Sequence, residues 1–298
     1  MRIQGVLIDD TFAEAFPMWY SRLIITADTP KLALQAAQAA SGLAISIIGC
    51  GCEAGLDGKL APGDTPDGRP GYTALLFSFS PEKLEEHLFL RISQAILPSA
   101  TSACFNGTVA ERTAPVGGKL RYFGDGYQSS KVLNGRRYWR VPVADGEFVV
   151  DESFGLAQGV GGGNLLIVGE DRLRVLKAAE SAVQAVQAIR GAIAPFPGGV
   201  CRSPSKPGSK YPKVRASTND AFCPTLRSRV QTRLPKDAQS VYEIVIDGVS
   251  EDIVRQAMRD AIMAACQPGV LQITAGNYGG KWGQYHLYLH QLLNRRVK

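Results

Sequence analysis

The chain has 298 residues, 45% hydrophobic and 20% charged, enough to bury one large core or two modest ones. Its 32 glycines and 17 prolines exceed the average without approaching a collagen-like or low-complexity composition, which excludes a fibrous or disordered chain. The net charge of +6 is local: nine basic residues and one acid, Asp220, lie between Cys201 and Lys236, and the remaining chain sums to −2, so the basicity reads as a patch aimed at an anion.

Four segments share one grammar of apolar strand, capped helix, second strand and glycine-rich turn. The first runs through a strand at 22–26, a helix opened by Thr29 and Pro30, and a second strand at 43–48. The second has a strand at 72–79, a helix from Ser80 and Pro81 to about 97, and a strand at 101–105. The third has a strand at 164–168, a helix opened by Glu170 and Asp171, and a short strand near Ala192. The fourth has a strand at 240–246, a helix opened by Ser250 and a strand at 270–274. Serine, threonine or aspartate ahead of proline or acids is the N-terminal signature of a helix. Two such units with a return connection make a split βαβ, ferredoxin-like lobe. Between the pairs the pattern changes to short alternating strands at 121–123, 138–143 and 147–150. The expected fold is therefore α+β: a ferredoxin-like lobe over 1–116, a β-rich insertion over 117–163, and a second ferredoxin-like lobe over 164–298. The insertion holds seven of the chain's 24 aromatic residues; short hairpins cannot bury such rings alone, so it is expected to pack on a lobe or on another subunit.

No apolar run reaches the ~18–20 residues that span a bilayer, and the N-terminus has no apolar signal region before Asp9 and Asp10. Six cysteines, two of them at Cys50 and Cys52, make no disulfide framework. A cytoplasmic protein is the expectation.

Catalytic constellations are sparse. His87 lies beside Glu85 and Glu86 and reads as a solvated helix residue. His286 and His290 read as sharing a strand face with Tyr288, without an acid or thiol at ligand spacing to complete a metal site. Glu243 is the informative residue, an acid on one face with Val241 and Val245 in an apolar strand. Burying a carboxylate costs several kcal/mol unless it is paired or protonated. Either Glu243 points to water from an edge strand or meets the basic segment, or it is a carboxylic acid with raised pKa, able to donate a hydrogen bond at neutral pH.

Several irregular strings run in order along the chain: Asp10-Thr-Phe-Ala-Glu-Ala-Phe16, Thr65-Pro-Asp-Gly-Arg-Pro-Gly71, Phe123-Gly-Asp-Gly-Tyr127, Ala194-Pro-Phe-Pro-Gly-Gly199, Gly208-Ser-Lys210, the segment 216–225, Val241-Tyr-Glu-Ile-Val-Ile246 and Ala275-Gly-Asn-Tyr-Gly-Gly-Lys281. In these the sequence resembles the formylmethanofuran:tetrahydromethanopterin formyltransferases. The resemblance implies two ferredoxin-like lobes and a one-carbon enzyme that moves a formyl group between the amine of methanofuran and N5 of tetrahydromethanopterin, without metal or covalent acyl intermediate. It implies Glu243 as catalytic, and Arg69, Phe123, Asp125, Tyr127, Phe196, Ser205, Lys206, Lys210, Asn219, Asp220, Lys281 and Gln284 as substrate-binding. Both substrates carry acidic tails, which the basic segment would meet, so no nucleic acid and no membrane is implied. The family forms homo-oligomers. Its archaeal members are typically acidic, so the basic charge here, with a short stretch at 111–115, points to the bacterial methylotroph branch, whose transferase associates with a hydrolase. The alternative is a non-catalytic ferredoxin-like RNA-binding or scaffold subunit; an RNA-reading sheet would carry paired aromatics on a strand, and none of the four first strands does.

Overall fold

The computed structural model describes residues 1–294. The chain forms two compact units, Met18–Gly159 and Met1–Pro17 together with the chain from Val160 onward.

In the unit Met18–Gly159, strand β1 (Phe12–Thr26, shared with the other unit) leads into helix α1 (Pro30–Ser41), β2 (Cys52–Leu60), β3 (Gly71–Ser78), α2 (Pro81–Arg91) and β4 (Ala103–Asn106). The strands lie in the order β4-β1-β3-β2, all neighbours antiparallel. Thr29 and Ser80 cap the two helices by accepting the N–H groups of Leu32 and Lys83, with proline in each first turn. Leu23, Ile25, Ala36, Ala40, Leu76, Leu84 and Leu88 form the core between helices and sheet.

The second strand is not at the expected 43–48. That stretch holds a two-residue strand and one helical turn, Ile47–Cys50, and the long strand is Cys52–Leu60. A register shift between Leu56 and Gly58 breaks its alternation and turns Asp57 inward, where it meets Arg22 at 2.6 Å. His87 is not solvated either: its half-buried ring lies against the backbone of Gly51, and burial together with Arg91 holds its pKa below the ordinary histidine value.

The segment 117–163 continues this sheet. A meander of β5 (Ser129–Leu133), β6 (Arg136–Val143) and β7 (Gly146–Asp151) joins through a parallel contact of Val150 with Cys104. The strand expected at 121–123 is a helical turn, Arg121–Gly124, following the short helix Val116–Leu120. Gly117 allows that helix to touch β7, since a Cβ there would stand 1.9 Å from the Asp151 carbonyl oxygen.

The other unit is built the same way. Residues from 160 of β8 (Ala157–Gly169) lead into α3 (Arg172–Gln187), β9 (Ala192–Ile193), β10 (Ser240–Gly248), α4 (Glu251–Ala265) and β11 (Val270–Thr274). The order is β11-β8-β10-β9, again antiparallel, with the Val6–Ile8 strand parallel beside β11. Strand β12 (Tyr285–Tyr288) pairs with residues 12–15 of β1. His290 lies beyond it on the helix Leu289–Asn294, so His286 and His290 do not share a strand. The boundaries expected at 116/117 and 163/164 thus differ from the compact units, which take in the insertion on one side and the first 17 residues on the other.

Candidate active site

The sheet of β11, β8 and β10 has two unlike faces. Leu165, Ile167, Ile244 and Ile246 point to helices α3 and α4 and belong to the large core. The opposite face carries Leu166, Val168 and Val241, covered by Phe222 and Leu234 from the basic segment and by Ala238 just after it. Glu243 stands on this second face, because strand side chains alternate and its partner across β8 is Leu166.

β10 is no free edge at this point. Glu243 pairs on its other side with Cys201, through N–H to carbonyl bonds of 2.8 and 2.9 Å in both directions. Among the described residues no cation of the basic segment is paired with the carboxyl, and the Cys201 side chain is its polar neighbour. Burial pushes its pKa up to about 7, against the small opposing effect of the thiol. Burial likewise raises Cys201, so both neighbours favour their protonated forms.

From Cys201 the chain enters the hairpin of Ser205–Pro207 with Ala216–Thr218. The Asn219 N–H donates to the Pro204 carbonyl at 2.9 Å, and Lys206 meets Asp220 at 2.7 Å, a contact that holds the Asp220 carboxyl below its usual range. A cleft of about 580 Å³ opens here, lined by Lys206, Lys210, Tyr211, Asp220 and Arg229. Ser205 and Lys210 are exposed and Phe196 is half-buried. Arg227 adds little to the patch: its guanidinium donates to the carbonyls of Pro235, Lys236 and Ala238.

A second loop, 276–283, leaves the end of β11 and carries Lys281, with Gln284 following; both are exposed. The Gly276 N–H donates at 2.7 Å to Oδ1 of Asn164, which lies opposite Val245 and so on the Glu243 face. The remaining expected residues, Arg69, Phe123, Asp125 and Tyr127, belong to the unit Met18–Gly159. Phe123 and Tyr127 are 64% and 83% exposed, and Asp125 closes the helical turn with φ of 49°. Arg69 is engaged within its own unit by Asp28, Asp67 and the carbonyl of Thr101. Among the described residues no group of three or more His, Cys, Asp or Glu is placed to hold a metal ion.

Two residues escaped the sequence reading. Cys201 carries no signal in the sequence, since its backbone pairing with Glu243 needs the folded register. Glu14 was legible by the signal that found Glu243, a single acid between the fully buried Ala13 and Ala15.

The model for formylmethanofuran-tetrahydromethanopterin formyltransferase matches residues 1–143, and that for the proximal lobe of the same family matches 146–292. The formylmethanofuran–tetrahydromethanopterin formyltransferase of Methylococcus capsulatus is 52% identical, the alignment covering 98% of this chain and 100% of that one. Among solved structures, the formylmethanofuran:tetrahydromethanopterin formyltransferase of Methanosarcina barkeri matches with a TM-score of 0.93 at 44% identity, over 98% of this chain and 100% of that one. The formyltransferase/hydrolase complex of Methylorubrum extorquens, solved with methylofuran, matches with a TM-score of 0.96 at 46% identity, over 99% of each chain. With Glu243 half-buried in a strand that both sequence and geometry single out, and with similarity along its length, the chain belongs to the formylmethanofuran–tetrahydromethanopterin formyltransferase family.

Proposed function

We propose that this protein transfers a formyl group between the amine of methanofuran, or an analogue of it, and N5 of tetrahydromethanopterin. The observation that carries the reading is a single strand carboxyl, pushed up to about 7 by burial, in a chain that matches the family from end to end. The amine attacks the formyl carbon, a C–N bond forms, and the carbonyl oxygen becomes an oxyanion. Protonated Glu243 donates to that oxyanion and then gives its proton to the departing nitrogen as the old C–N bond breaks; the attacking nitrogen's proton returns to the carboxylate. The proton balance closes without a further reagent. Acid catalysis and an oxyanion donor each contribute on the order of 10²–10³-fold. The backbone pairing of Glu243 with Cys201 fixes its place on the strand.

Lys206, Lys210, Asn219 and Asp220, with Ser205 and Phe196 nearby in sequence, form the proposed pocket for an acidic tail; Lys281 and Gln284 complete the set in this unit. Arg69, Phe123, Asp125 and Tyr127 are the proposed substrate contacts from the other. We further infer that each unit is ferredoxin-like, on the strand orders given above. A homo-oligomer, a hydrolase-containing complex and a cytoplasmic setting belong to the same proposal. The complex is supported by the Methylorubrum extorquens relative, described as a formyltransferase/hydrolase complex subunit, and the cytoplasmic setting by six free cysteines. Nothing among the relatives favours an RNA-binding or scaffold role. The test is an assay of formyl transfer from formylmethanofuran to tetrahydromethanopterin by the purified chain. Transfer is expected; a chain that transfers no formyl group in either direction refutes the reading.

A further inference from the structure

The Glu14 carboxylate is 1% exposed, and its partners are four backbone N–H groups of one loop. Oε2 accepts from Tyr278 and Gly280 at 2.7 and 2.9 Å, and Oε1 from Trp282 and Gly283 at 2.6 and 2.5 Å. Burial alone would raise its pKa, but the four donors hold it below the ordinary carboxylate range. The loop is shaped around this group: a Cβ on Gly283 would stand 2.6 Å from the Glu14 Cγ and from the Ala15 carbonyl oxygen. A loop whose N–H groups converge on an ionised, buried side chain has its conformation fixed before any ligand arrives.

What the loop displays is aromatic. The rings of Tyr278 and Trp282 stack at 4.8 Å with an interplanar angle of 26°, and Phe16 backs Tyr278 at 6.2 Å. Trp282 is nonetheless 60% exposed, with the exposed Lys281 beside it. The loop's first residue is tied to Asn164. Asn164 faces Val245 across the ladder, which puts it on the diagonal from Glu243, a Cα separation of roughly 7–8 Å.

We propose that loop 276–283 is a stacking platform for a planar heteroaromatic ring of substrate, with Trp282 as its contact face and Glu14 as the positioning residue that preorganises it. The inference rests on the formyl-transfer reading for the identity of the ring. The donor's furan and the acceptor's pterin share the chemistry, and titrating each substrate separately distinguishes them.

Calorimetric titration of the full chain with each substrate, alongside steady-state kinetics, tests it in wild type, Trp282→Ala, Trp282→Phe, Glu14→Gln and the Glu14→Gln/Trp282→Ala double variant. Loss of one aromatic stack is worth roughly 10–100-fold in affinity. Trp282→Ala should weaken Kd and raise KM by about that factor for one substrate, leave the other unchanged, and keep kcat within roughly twofold; Trp282→Phe should recover most of the loss. Glu14→Gln puts an N–H₂ group where two N–H donors converge, and should lower kcat/KM by roughly 10–100-fold in the Trp282 background. It should add little once Trp282 is alanine, a non-additivity that general destabilisation does not produce. Unchanged Kd for both substrates in Trp282→Ala overturns the platform, and that measurement needs neither turnover nor the folding of the Glu14 variant. Fully multiplicative effects in the double variant overturn the positioning role. A wild-type chain that binds both substrates but transfers no formyl group refutes the reaction instead.

Discussion

Glu243 carries a pH dependence that belongs to the residue alone. Its folded pKa of about 7 lies above the ordinary 4.5, so the native state keeps a proton that the unfolded chain releases. Below pH 4.5 both states are protonated and the neutral carboxyl's contribution is fully present. As pH rises towards 7 only the unfolded state loses its proton, so stability falls across that window, by at most about 3 kcal/mol, and levels off above it. Glu243→Gln cannot ionise and should flatten this part of the stability profile, measured as urea midpoints between pH 4.5 and 8 in both proteins. Parallel profiles would remove the Glu243 carboxyl from the explanation. On the proposed mechanism the same proton would set the rate, so kcat should fall as pH passes 7. Glu243→Gln and Glu243→Ala should lower kcat by roughly 100-fold or more, alanine more than glutamine because the amide still donates a hydrogen bond. Wild-type turnover in both variants would end the catalytic assignment.

At the scale of elements, the basic segment 201–236 divides into cations that face solvent and cations that hold backbone. Lys210 is exposed in the lining of the cleft, and Lys206 shares that lining while paired with Asp220. Lys210→Ala should therefore raise KM for a substrate with its acidic tail and leave KM for a tail-less analogue near wild type. Equal effects on both would show that the lysine reads no tail. Arg227 is the opposite case: it gathers three carbonyls at 2.5–2.9 Å, and each hydrogen bond from a charged donor contributes roughly 1.5–3 kcal/mol. Arg227→Ala should loosen residues 235–238, seen as faster amide exchange there, with little change in KM. No sequence pattern separates these two roles, since both are basic residues in a polar loop; only the folded carbonyl positions do. Helix caps were legible because Thr29, Ser80, Asp171 and Ser250 act within three residues of themselves. Strand β2 was not, because its bulge at 56–58 interrupts the period of two. Glu243 was legible as an isolated acid among apolar neighbours, whereas its backbone pairing with Cys201, 42 positions earlier, is a tertiary fact.

For the molecule as a whole, the aromatic residues of 117–163 are the evidence on assembly. Four of the seven are satisfied within the chain. Phe148 and Phe154 are 1% and 0% exposed, Tyr138 meets Phe105 edge-on at 6.0 Å, and Trp139 donates to Glu152 at 2.6 Å with the Arg121 guanidinium over its ring. The other three, Tyr122, Phe123 and Tyr127, are 67%, 64% and 83% exposed, Tyr122 with the Arg121 guanidinium against its ring and hydroxyl. Aromatic rings are enriched at the buried centre of interfaces, and a cluster left open by its own fold gains by meeting another surface. The expected outcome is a dimer or tetramer in light scattering at low micromolar concentration. Phe123→Ser combined with Tyr127→Ser should shift the mass towards the monomer without lowering the unfolding midpoint, because neither ring fills the core. A wild-type chain that is monomeric and fully active would refute the interface and leave Phe123 and Tyr127 to the substrate alone.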